Sequence, residues 1–220
     1  MDLMTVAAAA RALDVSTRQV QHLVEAGELR RLERGIVDRE SVERLVATRG
    51  GSHSRGWSEQ TAWGAVALLT GATADWMGES QRSRLRGRLR TITSSELAER
   101  TRRRASVARY AAHSSVAADL TARLVSTGDA AGRLGLTATA AVDGYLGRSE
   151  LAEVVRDHGL VRDDAGSVTL RATDADLAVV QRLASSGTTL AALDLASSSR
   201  ARERRAGLDG LDRALRAFRG

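Results

Sequence analysis

The chain has 220 residues, 43% of them apolar and 27% charged, with no Cys, no Pro and a formal charge of +6. That length suits a two- or three-part protein with real cores, and the missing Cys excludes disulfide frameworks and thiolate metal sites. No run of 18 apolar residues occurs, and no basic stretch precedes a hydrophobic one at the N-terminus, so neither a membrane span nor a signal peptide is expected and the chain is expected in the cytoplasm.

Thr5 to Leu13 reads as a helix capped by Thr5, with Ala9 and Leu13 inward. Ser16-Thr-Arg-Gln19 then matches a capping box, in which the Ser hydroxyl accepts from the Gln19 N–H and the Gln19 side chain returns to the cap. A second helix starts there. Val20, Leu23 and Val24 form its inner face, Gly27 ends it, and Thr17, Arg18, Gln21, His22 and Glu25 are left outward. Glu28 to Leu32, a turn at Glu33-Arg34-Gly35 and Ile36-Val37 read as a small basic hairpin, a wing. Asp38 caps a third helix, Arg39 to Ala47, whose Val42, Leu45 and Val46 should fold back on the first two. Gly50-Gly-Ser-His-Ser54 reads as a flexible linker, which bounds a first domain at residues 1–50.

Residues 57–104 read as a basic helical segment. Ser58 caps a helix to Leu69, with Trp63, Val66 and Leu69 on one face and Gly71 ending it. Gln81 to Arg90 carries Arg at every second position. As a strand all five Arg would share one side, whereas a helix capped by Ser80 puts Leu85 and Leu89 on one face, so helix is favoured. A further helix spans Ser95 to about Arg103. Residues 51–110 hold 11 Arg against 5 acids, while 1–50 hold 8 against 8 and 111–220 hold 14 against 14, so the entire +6 excess sits here. The cluster from Arg82 to Arg104 has three open readings: a wider footprint on DNA, a site for an acidic protein surface, or a solvated helix pair.

Residues 105–220 read as a mixed α/β domain with a helical C-terminus. Its strands are placed at Ser106 to Tyr110, Leu124 to Ser126, Ala140 to Tyr145, and in a hairpin from Leu160 to Leu170 turning at Ala165-Gly166. Helices are placed at Ser115 to Ala122, Asp129 to Leu134, Ser149 to Asp157, Asp174 to Leu183 and through Thr188 to Phe218. The sheet order stays open. The fold class is therefore α+β, a winged helix-turn-helix followed by helices and a mixed α/β domain.

The N-terminal pattern fits double-stranded DNA. Arg18 can fork onto guanine, Gln21 can pair bidentately with adenine, Thr17 and His22 share their face, and the Ser16/Thr17 end presents free N–H groups to a phosphate. Arg30, Arg31 and Arg34 on the wing would lie over the neighbouring backbone. A helical protein-interaction module with a solvated polar face is the competing reading. Enzyme and metal readings have little to stand on, because His22, His53, His113 and His158 are far apart in sequence and no Walker, Rossmann or nucleophile-elbow pattern occurs. Asp163-Asp164 beside Ala165-Gly166 reads as a turn, and Thr127-Gly128-Asp129 as a strand-to-helix turn with Asp129 as N-cap. No catalytic residue, cofactor or metal is expected.

The segment Thr5-Val-Ala-Ala-Ala-Ala-Arg-Ala-Leu-Asp-Val-Ser-Thr-Arg-Gln-Val-Gln-His-Leu-Val-Glu-Ala-Gly-Glu-Leu29 resembles the winged helix-turn-helix of MerR-type and excisionase-like proteins, over about residues 4–47. It departs at Asp14, where those modules commonly have Gly. The remainder is similar to AbiEi-type antitoxins of abortive-infection pairs, in Val125-Ser-Thr-Gly-Asp-Ala-Ala131 with Gly135-Leu136, Val168-Thr-Leu-Arg171, Leu193-Asp-Leu-Ala-Ser-Ser-Ser-Arg200 and Arg204-Arg-Ala-Gly207. The N-terminal module departs from the winged domain usual in that family. The resemblance implies a transcriptional repressor that is the antitoxin and autorepressor of a two-gene operon, with a nucleotidyltransferase-like toxin as partner. A ligand-sensing regulator is the alternative. Two half-sites on DNA would call for a homodimer.

Overall fold

A computed structural model describes residues 3–13, 15–33, 35–49, 56–136 and 141–220. The chain is mixed α+β and divides into two compact units, Met1–His53 and Ser54–Gly220. The linker expected at Gly50 to Ser54 lies outside the described residues, as do Asp14, Arg34, His53 and the Ala140 expected to open a strand.

The first unit runs β1 (Leu3–Thr5), α1 (Val6–Leu13), α2 (Thr17–Glu25), β2 (Arg31–Glu33), β3 (Ile36–Asp38) and α3 (Arg39–Arg49). Thr5 caps α1 by accepting from the Ala8 N–H at 3.2 Å, and Asp38 caps α3 by accepting from Ser41 N–H at 3.2 Å. Strand β3 lies between β1 and β2, antiparallel to both, with Met4 opposite Val37 and Arg31 opposite Val37 on the other side. The sequence reading has no β1, because three residues are too few to show a period and their partner lies over thirty residues away. Met4, Ala9, Ala10, Leu13, Val20, Leu23, Leu29, Val37 and Val42 close a small core. Val46, expected inward, is 39% exposed.

The second unit opens with α4 (Glu59–Leu69), α5 (Glu79–Leu89) and α6 (Ser94–Arg100). Ser58 caps α4 as expected, accepting from Thr61 N–H at 3.3 Å. Helix α5 forms where helix was favoured over strand, with Leu85 and Leu89 buried, but its cap is Gly78 rather than Ser80, and the Gln81 side chain accepts from the Gly78 N–H at 3.3 Å. Then follow β4 (Ser106–Ala111), α7 (Ala117–Arg123), β5 (Val125–Ser126), α8 (Gly128–Gly132), β6 (Val142–Gly147), α9 (Leu151–Asp157), β7 (Val161–Arg162) and β8 (Val168–Thr173). Three helices close the chain: α10 (Leu177–Ser185), α11 (Thr189–Ala196) and α12 (Ala201–Arg219). The helical region expected from Thr188 to Phe218 is made of two helices, α11 and α12.

The five strands are ordered β5-β6-β8-β4-β7, with β6 and β8 parallel and the other neighbours antiparallel. The hairpin expected at Leu160 to Leu170 is not one, because β4 lies between β7 and β8, pairing Tyr110 with Arg162 on one side and with Val168 on the other. The turn itself is present: Gly166 N–H donates to Asp163 O at 3.0 Å and Ala165 N–H to the Asp163 carboxylate at 2.9 Å. Strand period sends alternate residues to opposite faces. Ala108, Val142, Leu146, Leu170 and Ala172 join Leu120 and Val154 in one core, while Tyr145 turns the other way into a larger core with Trp63, Leu89, Leu97, Leu183, Leu193 and Leu211. Residues 57–104 therefore share a core with 105–220.

Candidate nucleic-acid interface

Helix α2 is shaped by its two ends and its buried stripe. Ser16 is extended and its Oγ accepts from the Gln19 N–H at 3.1 Å. The return bond from the Gln19 side chain is absent among the described residues, so the expected capping box is half formed. At the other end Ala26 N–H donates to His22 O at 2.8 Å and Gly27 takes φ +75°, a conformation that disfavours any residue with a Cβ. Val20 and Leu23 anchor the buried side. With about 100° per residue, burying that stripe turns Arg18, Gln21 and His22 outward.

Ser16, Thr17, Arg18, Gln21 and His22 are all exposed, as expected from sequence, and form one continuous strip. Glu25 lies on the same face, 3.9 Å from His22 Nδ1, with the two side chains 71% and 72% exposed. The side chains of Thr17, Arg18 and Gln21 make no hydrogen bond or ion pair among the described residues. Arg30 and Arg31 are exposed at the start of the β2–β3 hairpin. The Arg30 N–H donates to Ser41 Oγ at 3.3 Å, which ties the hairpin to α3. Arg34, the third wing residue expected to contact DNA, lies outside the described residues. Chemically, the strip offers a guanidinium fork, a carboxamide, an imidazole, hydroxyls and the free N–H groups of a helix start, all facing solvent.

The second unit holds a buried charge network that sequence reasoning missed. Arg104, expected within an exposed basic cluster, is 3% exposed. Its Nη2 donates to Asp194 Oδ1 at 2.6 Å and its Nε to Tyr145 Oη at 2.9 Å. Tyr145 Oη donates in turn to Asp194 Oδ1 at 2.5 Å, and Thr127 Oγ1 to Asp194 Oδ2 at 2.9 Å. Arg171 Nη1 lies 3.4 Å from Asp194 Oδ1, and its Nε and Nη2 fork onto Asp143 at 2.6 and 2.8 Å. Two guanidinium groups thus meet two carboxylates, leaving the charge balanced. Burial alone would raise the Asp194 pKa, but Arg171 and Arg104 outweigh it and hold the carboxyl below its ordinary value. Burial pushes the Tyr145 phenol above its ordinary range, Arg104 and Arg171 offsetting only part of that rise, so its hydroxyl stays a donor.

Two signals could have found this network: Asp194 is the lone acid in the apolar run Thr189–Ala196, and Arg171 stands in a strand covered on both faces. A buried charge demands a partner. Arg104 gave no signal, being one of three consecutive Arg. Thr127, expected in a turn before an Asp129 cap, is itself the N-cap position of the short α8 and spends its hydroxyl on Asp194. His113 and His158 are apart, the first accepting from Ser115 N–H at 3.3 Å and the second 2.9 Å from Asp119.

Of the remaining Arg cluster, Arg82 pairs with Asp75 at 3.6 Å and Arg102 with Glu99 at 2.9 Å. Arg84, Arg86, Arg88 and Arg90 are exposed without an ion pair among the described residues. Comparison with protein-family models, with curated proteins and with solved structures finds no match for the chain.

Proposed function

We propose that residues 1–53 bind double-stranded DNA and that the chain is a transcriptional repressor. The observation that carries this reading is the exposed strip of α2, in which Ser16, Thr17, Arg18, Gln21 and His22 face solvent opposite a stripe fixed by Val20 and Leu23. In this reading α2 enters the major groove, with Arg18 and Gln21 at base edges and the Ser16 end at a phosphate. Arg30, Arg31 and Arg34 contact the flanking backbone. Residues 1–50 carry as many acids as Arg, so binding depends on where these charges sit rather than on net charge.

The resemblance of the remainder to AbiEi-type antitoxins extends the proposal: the repressor is cytoplasmic and dimeric, and residues 105–220 bind a nucleotidyltransferase-like toxin encoded beside it. The test has two arms. A preferred duplex is first selected from a random pool, and Arg18→Ala and Gln21→Ala are each expected to weaken binding to it by about 1–3 kcal/mol while changing binding to random duplex far less. Equal loss on both duplexes would overturn direct readout by α2. Co-expression with the neighbouring gene product should give a complex and rescue growth; absence of both would remove the antitoxin part and leave the DNA reading standing.

A further inference from the structure

Helix α5 has the sequence Glu-Ser-Gln-Arg-Ser-Arg-Leu-Arg-Gly-Arg-Leu from Glu79 to Leu89, followed by Arg90 at its C-cap. Leu85 and Leu89 are buried and fix its inward direction. At about 100° per residue, Ser80, Ser83 and Gly87 then form the outward ridge, with Arg84 and Arg88 along one flank and Arg86 and Arg90 along the other. All four Arg are exposed and have no ion pair among the described residues, and Glu79 is the helix's one acid. The ridge is open, since a Cβ built on Gly87 meets nothing within 4 Å. The helix is also held in place: Arg82 pairs with Asp75 at 3.6 Å, and Arg219 of α12 donates to the carbonyls of Leu89 and Ile92.

Like charges at i,i+4 destabilise a helix, and both flanks carry such a pair with no ion pair to a carboxylate among the described residues. An anionic partner would relieve that repulsion. Two cationic rows on either side of a smooth ridge suit a partner with two anionic walls. A helix about 10–12 Å across with its side chains matches a major groove about 12 Å wide, walled by two phosphate strands. The ridge itself offers two hydroxyls and a glycine, too little to read a base pattern.

We propose that α5 is a second, sequence-independent contact to double-stranded DNA, lying along a groove with Arg84 and Arg88 on one phosphate strand and Arg86 and Arg90 on the other. The inference extends the DNA-binding reading of residues 1–53, but its readout does not pass through α2.

The test uses the full chain and a random-sequence duplex, titrated over a range of salt concentrations. Variants are Arg84→Gln with Arg88→Gln, Arg86→Gln with Arg90→Gln, and all four together, Gln being chosen because it keeps helix propensity. Each phosphate contact contributes about 0.9 to the slope of log K against log salt. The fourfold variant should therefore flatten the slope by about three to four units and lower affinity at moderate salt at least tenfold, and each pair should flatten it by about two. If the fourfold variant does not fold by circular dichroism, the two pairs carry the test. An unchanged slope overturns the proposal. A change confined to one row overturns the straddled groove. Unchanged duplex binding with loss of an acidic protein partner overturns it in favour of a protein site. Should the wild type select no preferred duplex, the reading of α2 fails while the slope measurement still decides the role of α5.

Discussion

Asp194 accepts from Arg104, Tyr145 and Thr127 at once and lies 3.4 Å from Arg171. Replacing it with Ala would leave two guanidinium groups buried with one exposed-side carboxylate between them, and breaking a buried pair in this way costs about 3–5 kcal/mol. Its protonation has the same direction. The folded pKa lies below the ordinary aspartate value, so the contribution is complete above the unfolded pKa and is lost as pH falls through the folded one. Urea midpoints measured across the acid range should therefore drop below about pH 4 in the wild type. In Asp194→Asn the drop should be shallower and the midpoint at neutral pH lower; an unchanged neutral midpoint would show that the network adds nothing. On α2 the informative residue is Glu25, whose carboxylate stands on the strip proposed to face DNA. Glu25→Gln should tighten binding to any duplex by a few-fold at low salt, through removal of repulsion from phosphate. No change would mean that this end of α2 stays clear of the backbone.

Between elements, α12 approaches α11 closely at Gly207. A Cβ there would lie 2.3 Å from Ala196 N and 2.6 Å from Ala192 O of α11, so the two backbones touch where any side chain would intrude. Gly207→Ala should cost about 1–3 kcal/mol or more through forced separation of the pair. The check is a thermal melt beside that of Ala206→Gly, which removes a side chain from α12 without adding volume at the contact. This packing was not legible in the sequence, since nothing marks Gly207 as a contact rather than a helix weakness. What was legible is what short-range chemistry decides: the caps Thr5, Ser16, Asp38 and Ser58, the stop at Gly27, the inward Leu85 and Leu89, and the exposed strip of α2. Long-range pairing was not. The turn at Asp163 to Gly166 could be read locally, but β4 entering between β7 and β8 depends on residues over fifty positions earlier. The same limit hid β1 and the Arg104–Asp194 pair, ninety positions apart.

For the whole molecule, the telling feature is that the cores do not share residues. Among the described residues, the cluster around Val20 and Leu23 draws on residues 4 to 45, whereas the other two draw on residues from Trp57 onward. Hydrophobic burial is the main favourable term in folding, so deleting residues 1–53 removes no part of the larger cores. The fragment 54–220 should therefore fold alone, with a helical circular-dichroism spectrum and a cooperative melt. Tryptophan allows the same question to be asked of the intact chain, because Trp57, Trp63 and Trp76 all lie in the second unit. Leu23→Ala, at a side chain 2% exposed, should destabilise the first unit by about 2–5 kcal/mol. Far-ultraviolet dichroism should then show an early partial loss of helix while the fluorescence transition keeps its midpoint. If instead fluorescence and dichroism shift together, or if the fragment is unfolded, the two units fold as one and the division of labour between α2 and the rest of the chain loses its physical basis.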